Sequence, residues 1–468
     1  MKNGKTRARI ILLASVIAIA LIPWYFIISG LISRNMAPEP TPVASGGQSI
    51  SESPSPADIK TPDVLIEPEP IPSPTPAPTP RPTPSPTPEP TPEPEPEDII
   101  INITEEFPTL SDELNRMSTQ FNCAAVSMVV YDGDNGEYYT YQYGFADIRD
   151  RRAIDTDTMM RVASLSKLTT VLCAMVLVDR DMLDLDMDIS YYLGYDVKIP
   201  GFTSTSVTSR MLMQHTASVF DSDDFHESRE RNTSRSARQL IEAGTSFKRR
   251  QPGTVFEYTN FGYSLLAAVC ETIYGKSFDI LAREVLFEPL GIDAAYVPAR
   301  LRDTANIAVI YNASHSPTRS VQSQLDISDS PELGHDIHLA QGNLTISAID
   351  YARILAMLGN NGSLNDIRIL SPQSALAVNN TNVRGASYDQ GLATRRSSLM
   401  FMPGGEAFWH TGSAYGTFAQ YIYSADGTNR GIVVVTTGAS NERLPNGMLK
   451  TCTDLSELAW KHLGFDNP

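Results

Sequence analysis

The chain has 468 residues with 37 Lys and Arg against 54 Asp and Glu, a formal net charge of -17, and is long enough for more than one domain. The charge is uneven: residues 1–36 carry five bases and no acid, residues 37–98 carry eleven acids against Lys60 and Arg81, and the rest holds the remaining negative excess. Clustered Lys and Arg are what displace counterions from a polyanion, and no such run occurs beyond the extreme N-terminus, so nucleic acid is excluded as a partner.

Residues 10–33 contain no charged side chain, and those 24 residues exceed the roughly 20 that cross a hydrocarbon core as a helix. Lys2, Lys5, Arg7 and Arg9 precede the run and only Arg34 follows closely, which predicts a short cytoplasmic tail (1–9) and export of everything after the span. The run is longer than the apolar core of a cleaved signal peptide and no small-x-small site follows, so an uncleaved single-pass anchor in the cell membrane is expected. From Pro38 to Glu97 the chain is nearly all Pro, Thr, Ser, Glu and Ala. Such a composition cannot bury apolar surface and favours extended polyproline II, so 34–104 is expected to be a disordered stalk holding a domain at 105–465 outside the cell.

Within that domain 110–121 has helical spacing, 124–131 and 138–146 read as strands around the turn Asp132–Gly136, and the middle of the chain is helix-like at 165–179, 207–214, 235–243, 261–273, 278–287 and 346–358. Strands return at 417–424 and 431–437, and 453–463 reads as an amphipathic closing helix. Strands at both ends around a helical middle predict an α/β (α+β) fold: an antiparallel sheet flanked by helices, with an all-helical lobe inserted.

Three short motifs carry chemistry. Ser164-Leu165-Ser166-Lys167 is S-x-x-K at the start of an apolar helix, and residues i and i+3 share a helix face, so Lys167 can reach the Ser164 hydroxyl and take its proton. Tyr258-Thr259-Asn260 lies in a turn feeding another apolar helix; Tyr258 is a candidate proton shuttle and Asn260 a candidate donor to a substrate amide carbonyl. His410-Thr411-Gly412-Ser413 precedes the C-terminal strand pair, where a glycine admits an extended substrate and the polar side chains can meet its carboxylate. The amides of Ser164 and Ser413 are the expected oxyanion hole, and His410, if it titrates near pH 6.5, would read that carboxylate in a pH-dependent way. No metal or other cofactor is expected: His335 and His338 lack a third ligand at helical spacing.

S-x-x-K, Y-x-N and H-T-G, in this order, resemble the motifs of the serine acyl enzymes that include class C β-lactamases, penicillin-binding DD-peptidases and related esterases. VTSRMLMQHTASVF is similar to the family's LLTHTSGL helix end, and QGNLTISAIDYARILAMLGNNGSLNDIRILSP to its GGLVSTAEDLARFLQMLLNGG…LLSP stretch. The likeness covers about 105–465 and implies an acyl-enzyme on Ser164. H-T-G in place of K-T-G resembles the D-alanyl-D-alanine carboxypeptidase and D-aminopeptidase branch, which implies a peptidoglycan stem peptide as substrate. A β-lactamase or broad esterase, or a low-turnover penicillin-binding sensor, remain alternatives. The resemblance also raises Arg395 and Arg396 as carboxylate anchors against a solvated turn, and makes Ser218, where the family has glycine, a structural departure. His215 reads as a packing or capping residue, 221–251 as a roof over the cleft or a solvated insertion, and Cys123 and Cys452 as free thiols or a disulfide pair.

Overall fold

A computed structural model describes residues 98–230, 235–385, 387–440 and 442–465. The apolar run 10–33 and nearly all of the proline-rich stretch lie outside these residues; among them, no helix is long and apolar enough to cross a membrane.

The fold begins earlier than the sequence suggests. β1 (Ile99–Asn102) lies inside the stretch assigned to the stalk and pairs parallel with a later strand, so the sheet is mixed and not purely antiparallel. Helix α1 (Pro108–Gln120) follows, then the hairpin of β2 (Ala125–Asp132) and β3 (Glu137–Asp147). The helical middle opens with α2 (Ser166–Asp179), continues through α3 (Phe261–Tyr274), and returns to the sheet with α4 (Ala348–Gly359). Then come β4 (Arg395–Ser398), β5 (Glu406–Ala414), β6 (Thr417–Ser424), β7 (Arg430–Thr437) and the closing helix α5 (Lys450–His462).

The main sheet runs β1-β3-β2-β7-β6-β5-β4, extended by the two-residue strands Asp389–Gln390 and Val383–Arg384. Strands from both ends of the chain meet at its centre, where β2 pairs antiparallel with β7 from Ala125–Thr437 to Asp132–Arg430. Both strands are buried almost throughout, which is why they read as continuous apolar runs and not as alternating ones. On one face α4 packs on β2 and β7, joining the core that continues through α2 and α3. On the other, α1 and α5 cover the sheet through Leu110, Leu114, Cys452, Leu455 and Trp460. All four cysteines are buried and free, so Cys123 and Cys452 serve this second core as small hydrophobes.

Asp98 ties the start of the fold to α4: its carboxylate accepts from Arg353 Nε at 2.6 Å, while Asp350 accepts from the same guanidinium at 2.8 Å. Both carboxylates are only 11% exposed, so the pair is shielded from solvent more than a surface ion pair. A chain starting at Glu105 loses β1 and this partner. Its denaturant midpoint should fall by an amount worth about 2 kcal/mol or more relative to one starting at Asp98; equal midpoints would show that β1 adds nothing to the fold.

Candidate active site

The turn that delivers Ser164 is built against conformational preference. Ala163, immediately before it, has φ 49, a left-handed value rarely held by a residue with a Cβ. Ser166 pins the turn from inside: its hydroxyl donates to Ala163 O at 2.6 Å and accepts from Leu344 N at 3.0 Å. Ser166 is therefore fully buried and occupied, whereas Ser164 is half-buried and faces the cleft. From the next residue but one, α2 runs into the core, which places Ser164 beside a helix N-terminus.

Lys167, one turn on, is fully buried. Its Nζ donates to Gln341 O at 2.6 Å and to Asn260 Oδ1 at 2.9 Å, and lies 3.4 Å from Ser164 Oγ. Two carbonyl oxygens thus fix two of its hydrogens and aim its remaining position at the serine. Tyr258 comes from the loop before α3, and its hydroxyl stands 2.9 Å from Ser164 Oγ. Burial would raise that hydroxyl, but Lys167, Ser164 and Arg395 outweigh it, and the Tyr258 pKa falls below the ordinary tyrosine value. Ser164 Oγ therefore has two groups within hydrogen-bond reach with which it can exchange a proton, Lys167 Nζ and the Tyr258 hydroxyl.

Asn260 lines the cleft, and its side chain is held from two sides. Its Oδ1 holds Lys167, and its Nδ2 donates to Asp221 Oδ2 at 2.7 Å. Asp221 also accepts from the amides of Asn260 and Phe261, each at 2.8 Å, and from Thr259 Oγ1 at 2.7 Å. One carboxylate therefore orients the whole Tyr258–Asn260 turn at the start of α3. This residue escaped sequence reading because it opens a charge-rich segment that looks solvated; among the described residues, none of 222–251 lines the cleft.

β5 forms the other wall. Residues 406–409 pair with β4, but 410–414 pair only with β6, leaving the opposite edge of His410–Ala414 open to the cleft. That edge lies directly on the serine turn, because a Cβ at Gly412 would fall into Val162 O and come within 3.2 Å of Ser164 N. His410, Thr411 and Ser413 line the cleft with Ser164, Tyr258 and Asn260, in a volume of about 510 Å³. The structure thus brings together every motif residue picked from the sequence.

His410 differs from expectation in charge. Burial, then Arg395, Lys167 and His215, push its pKa well below 6.5, and Nδ1 donates to Thr411 O at 2.8 Å. A neutral ring with Nδ1–H committed leaves Nε2 as an acceptor, so it is not the cation that meets a carboxylate. The buried cations beside it are Arg395 and Lys167. Arg395 is buried on β4, opposite Trp409, with its guanidinium 5.6 Å from the Tyr258 ring centroid. The solvated-turn reading of Arg395 is therefore incorrect, but it fits Arg396, which is half-exposed and ion-paired to Glu406. His215 packs as expected, its Nδ1 accepting from Thr259 N at 3.2 Å and its ring 4.5 Å from that of Tyr258. Ser218 holds φ 60, the backbone conformation for which glycine is suited.

Comparison with known proteins agrees with this geometry. Residues 112–450 match the model of the Beta-lactamase family. The chain is 26% identical over 228 residues to penicillin-binding protein 4* of Bacillus subtilis, spanning 45% of this chain and 47% of that one. It is 25% identical over 185 residues to the D-alanyl-D-alanine-carboxypeptidase/endopeptidase AmpH of Escherichia coli, 37% of this chain and 46% of that one. The matched segments thus span about half the length of these relatives. Among solved structures, the octameric penicillin-binding protein homologue from Pyrococcus abyssi superposes with a TM-score of 0.60 at 17% identity, over 76% of this chain and 77% of its own. The D-alanine carboxypeptidase AmpC from Burkholderia cenocepacia gives 0.56 at 16% identity, over 75% and 98%.

Asp221→Ala strands four donors around the turn, so acylation of Ser164 should slow at least about tenfold and stability should drop by about 1–3 kcal/mol; stopped-flow acylation at the wild-type rate would rule out the positioning role. His215 and His410 remain neutral in the fold, yet each takes a proton near pH 6.5 when unfolded. Below that pH the unfolded chain binds more protons, so stability falls on acidification by about 1.4 kcal/mol per pH unit for each histidine. Denaturation midpoints at pH 7 and pH 5 should therefore differ less for His215→Gln than for the parent chain; an equal difference would contradict the burial of a neutral ring.

Proposed function

Because the chain belongs to the Beta-lactamase family of serine hydrolases, we propose that it is a D-alanyl-D-alanine carboxypeptidase-like enzyme working on peptidoglycan stem peptides outside the cell membrane. The observation that carries the reading is the placement of Arg395: a buried guanidinium beside Tyr258, at the open edge of β5, where a terminal carboxylate would sit one residue beyond the scissile bond. A carboxypeptidase needs such a cation and a simple esterase does not. Several relatives bear penicillin-binding protein or carboxypeptidase names, which supports the same direction.

In this reading the substrate lies as an added strand along His410–Ala414. Ser164 Oγ gives its proton to the Lys167–Tyr258 pair as it attacks the carbonyl carbon, whose oxygen turns toward the amides of Ser164 and Ser413. Tyr258 then passes a proton to the leaving D-alanine nitrogen as the C–N bond breaks, and Ser164 remains acylated. Water attacks the ester by the reverse proton route and releases the shortened peptide. Asn260 and Asp221 serve as positioning residues, since they act through Lys167 and Tyr258. The charge-free run 10–33 and the proline-rich stretch after it support a membrane anchor with a spacer that carries the enzyme into the wall.

The test is release of D-alanine from an acetylated peptide ending in D-Ala-D-Ala. Ser164→Ala should abolish release and covalent labelling by penicillin, and Tyr258→Phe should lower acylation by about 10²-fold or more. Intact-protein mass spectrometry with penicillin separates the alternative: a persistent adduct fits a peptidase, while rapid return to the unmodified mass with no D-alanine release would favour a β-lactamase.

A further inference from the structure

The cleft of this acidic chain is lined by four arginines, Arg161, Arg319, Arg395 and Arg443, and by no aspartate or glutamate among the described residues. They fall into two groups. Arg395 lies over Tyr258, and Arg443 is near enough to interact electrostatically with both of them, at the His410 end of the open edge. Arg161 and Arg319 lie over the ring of Tyr415, at 5.0 and 3.8 Å from its centroid, just past the other end of that edge. Gly412, between the two ends, rests on the Ser164 turn.

Four residues of strand, Thr411 to Ala414, separate His410 from the turn residue Tyr415, a span on the order of 15 Å. Tyr258 stands beside Ser164 Oγ on the Arg395 side, and it is the group placed to protonate the leaving amine. The leaving residue therefore occupies the Arg395 end and the acyl portion runs toward Tyr415. Arg161 is held there by its Nε, which donates to Gly342 O at 2.9 Å. Arg319 is half-buried, and among the described residues it has no carboxylate partner. Like charges gathered around one cleft repel each other, and an anion entering that field gains what the arginines lose.

We propose that the site reads a second anionic group on the acyl side of the scissile bond, through Arg161 and Arg319, so that the preferred substrate is an extended peptide with a carboxylate at each end of the bound stretch. At about 3.3–3.6 Å per extended residue, the acyl-side carboxylate lies two or three residues before the bond that breaks. This inference rests on the carboxypeptidase reading for its peptide form, but the arginine pair at Tyr415 stands on its own geometry.

The experiment uses two matched pairs of substrates at low salt. One is a pair of acetyl peptides ending in D-Ala-D-Ala with either Glu or Gln two places before the scissile residue. The other is the mono-p-nitrophenyl ester of adipic acid against p-nitrophenyl hexanoate. In each pair the anionic member should have the higher kcat/KM, by about tenfold or more for the peptides, and added salt should shrink that ratio. Arg319→Ala should bring both ratios close to one, and Arg319→Glu should turn them below one, with thermal melting confirming that each variant is folded. Peptides that are cleaved with no preference for Glu, together with esters that show none for the adipate, would overturn the proposal and leave the carboxypeptidase reading intact. If neither peptide is cleaved but the adipate ester keeps an Arg319-dependent advantage, the carboxypeptidase reading falls and the acyl-side anion site stands.

Discussion

The active site is organised by the cost of hiding one amine. Lys167 is fully buried, and a buried lysine nitrogen must have its hydrogens accepted or lose several kcal/mol to desolvation. Gln341 O and Asn260 Oδ1 accept them, and each arrives from a segment far away in sequence. Asn260 can face Lys167 only because Asp221 turns its amide, and Asp221 is fixed by the backbone of the same turn that presents Tyr258. Satisfying one nitrogen thus brings α2, the start of α3 and the 339–342 helix to a common point, with Ser164 between them.

How much of this was legible in the sequence depends on what each residue signals. Ser164, Lys167, Tyr258, Asn260 and His410–Ser413 show themselves because side chain and spacing carry the chemistry together. Gln341 contributes only a backbone carbonyl, which no residue pattern can announce. Asp221 shares its stretch with Asp223, Asp224 and Glu227, acids that look like solvated surface, and only the folded turn distinguishes it from them. Arg395 and Arg396 are adjacent and look equivalent, yet strand alternation buries the first against Trp409 and leaves the second paired to Glu406. β1 was hidden for another reason: four residues at the end of a proline-rich tract are too short to show a period, and their parallel pairing with β3 is set by tertiary contact.

The charge distribution of the site also corrects a reading based on ordinary side-chain values. A histidine in place of the family's lysine suggests a switchable cation, but burial and three neighbouring groups keep His410 neutral. Its ring then acts as a shaped acceptor that packs near Tyr258, while the guanidinium beside that tyrosine belongs to Arg395. In the proposed carboxypeptidase reading, substrate recognition and proton transfer fall to different side chains, although Arg395 still links them through its effect on the Tyr258 hydroxyl.

The open edge of β5 has a consequence beyond catalysis. Unpaired amides and carbonyls along a strand are a template on which any other extended chain can add, and proteins that leave such edges uncovered are prone to self-association. Here the edge from His410 to Ala414 is recessed between the serine turn and the Tyr258 loop, with guanidinium groups at both ends. A sheet edge of a neighbouring folded molecule is too broad to enter, while a single flexible strand is not. In the proposed reading, the feature that admits a peptide therefore also sets a size limit on what can pair with it.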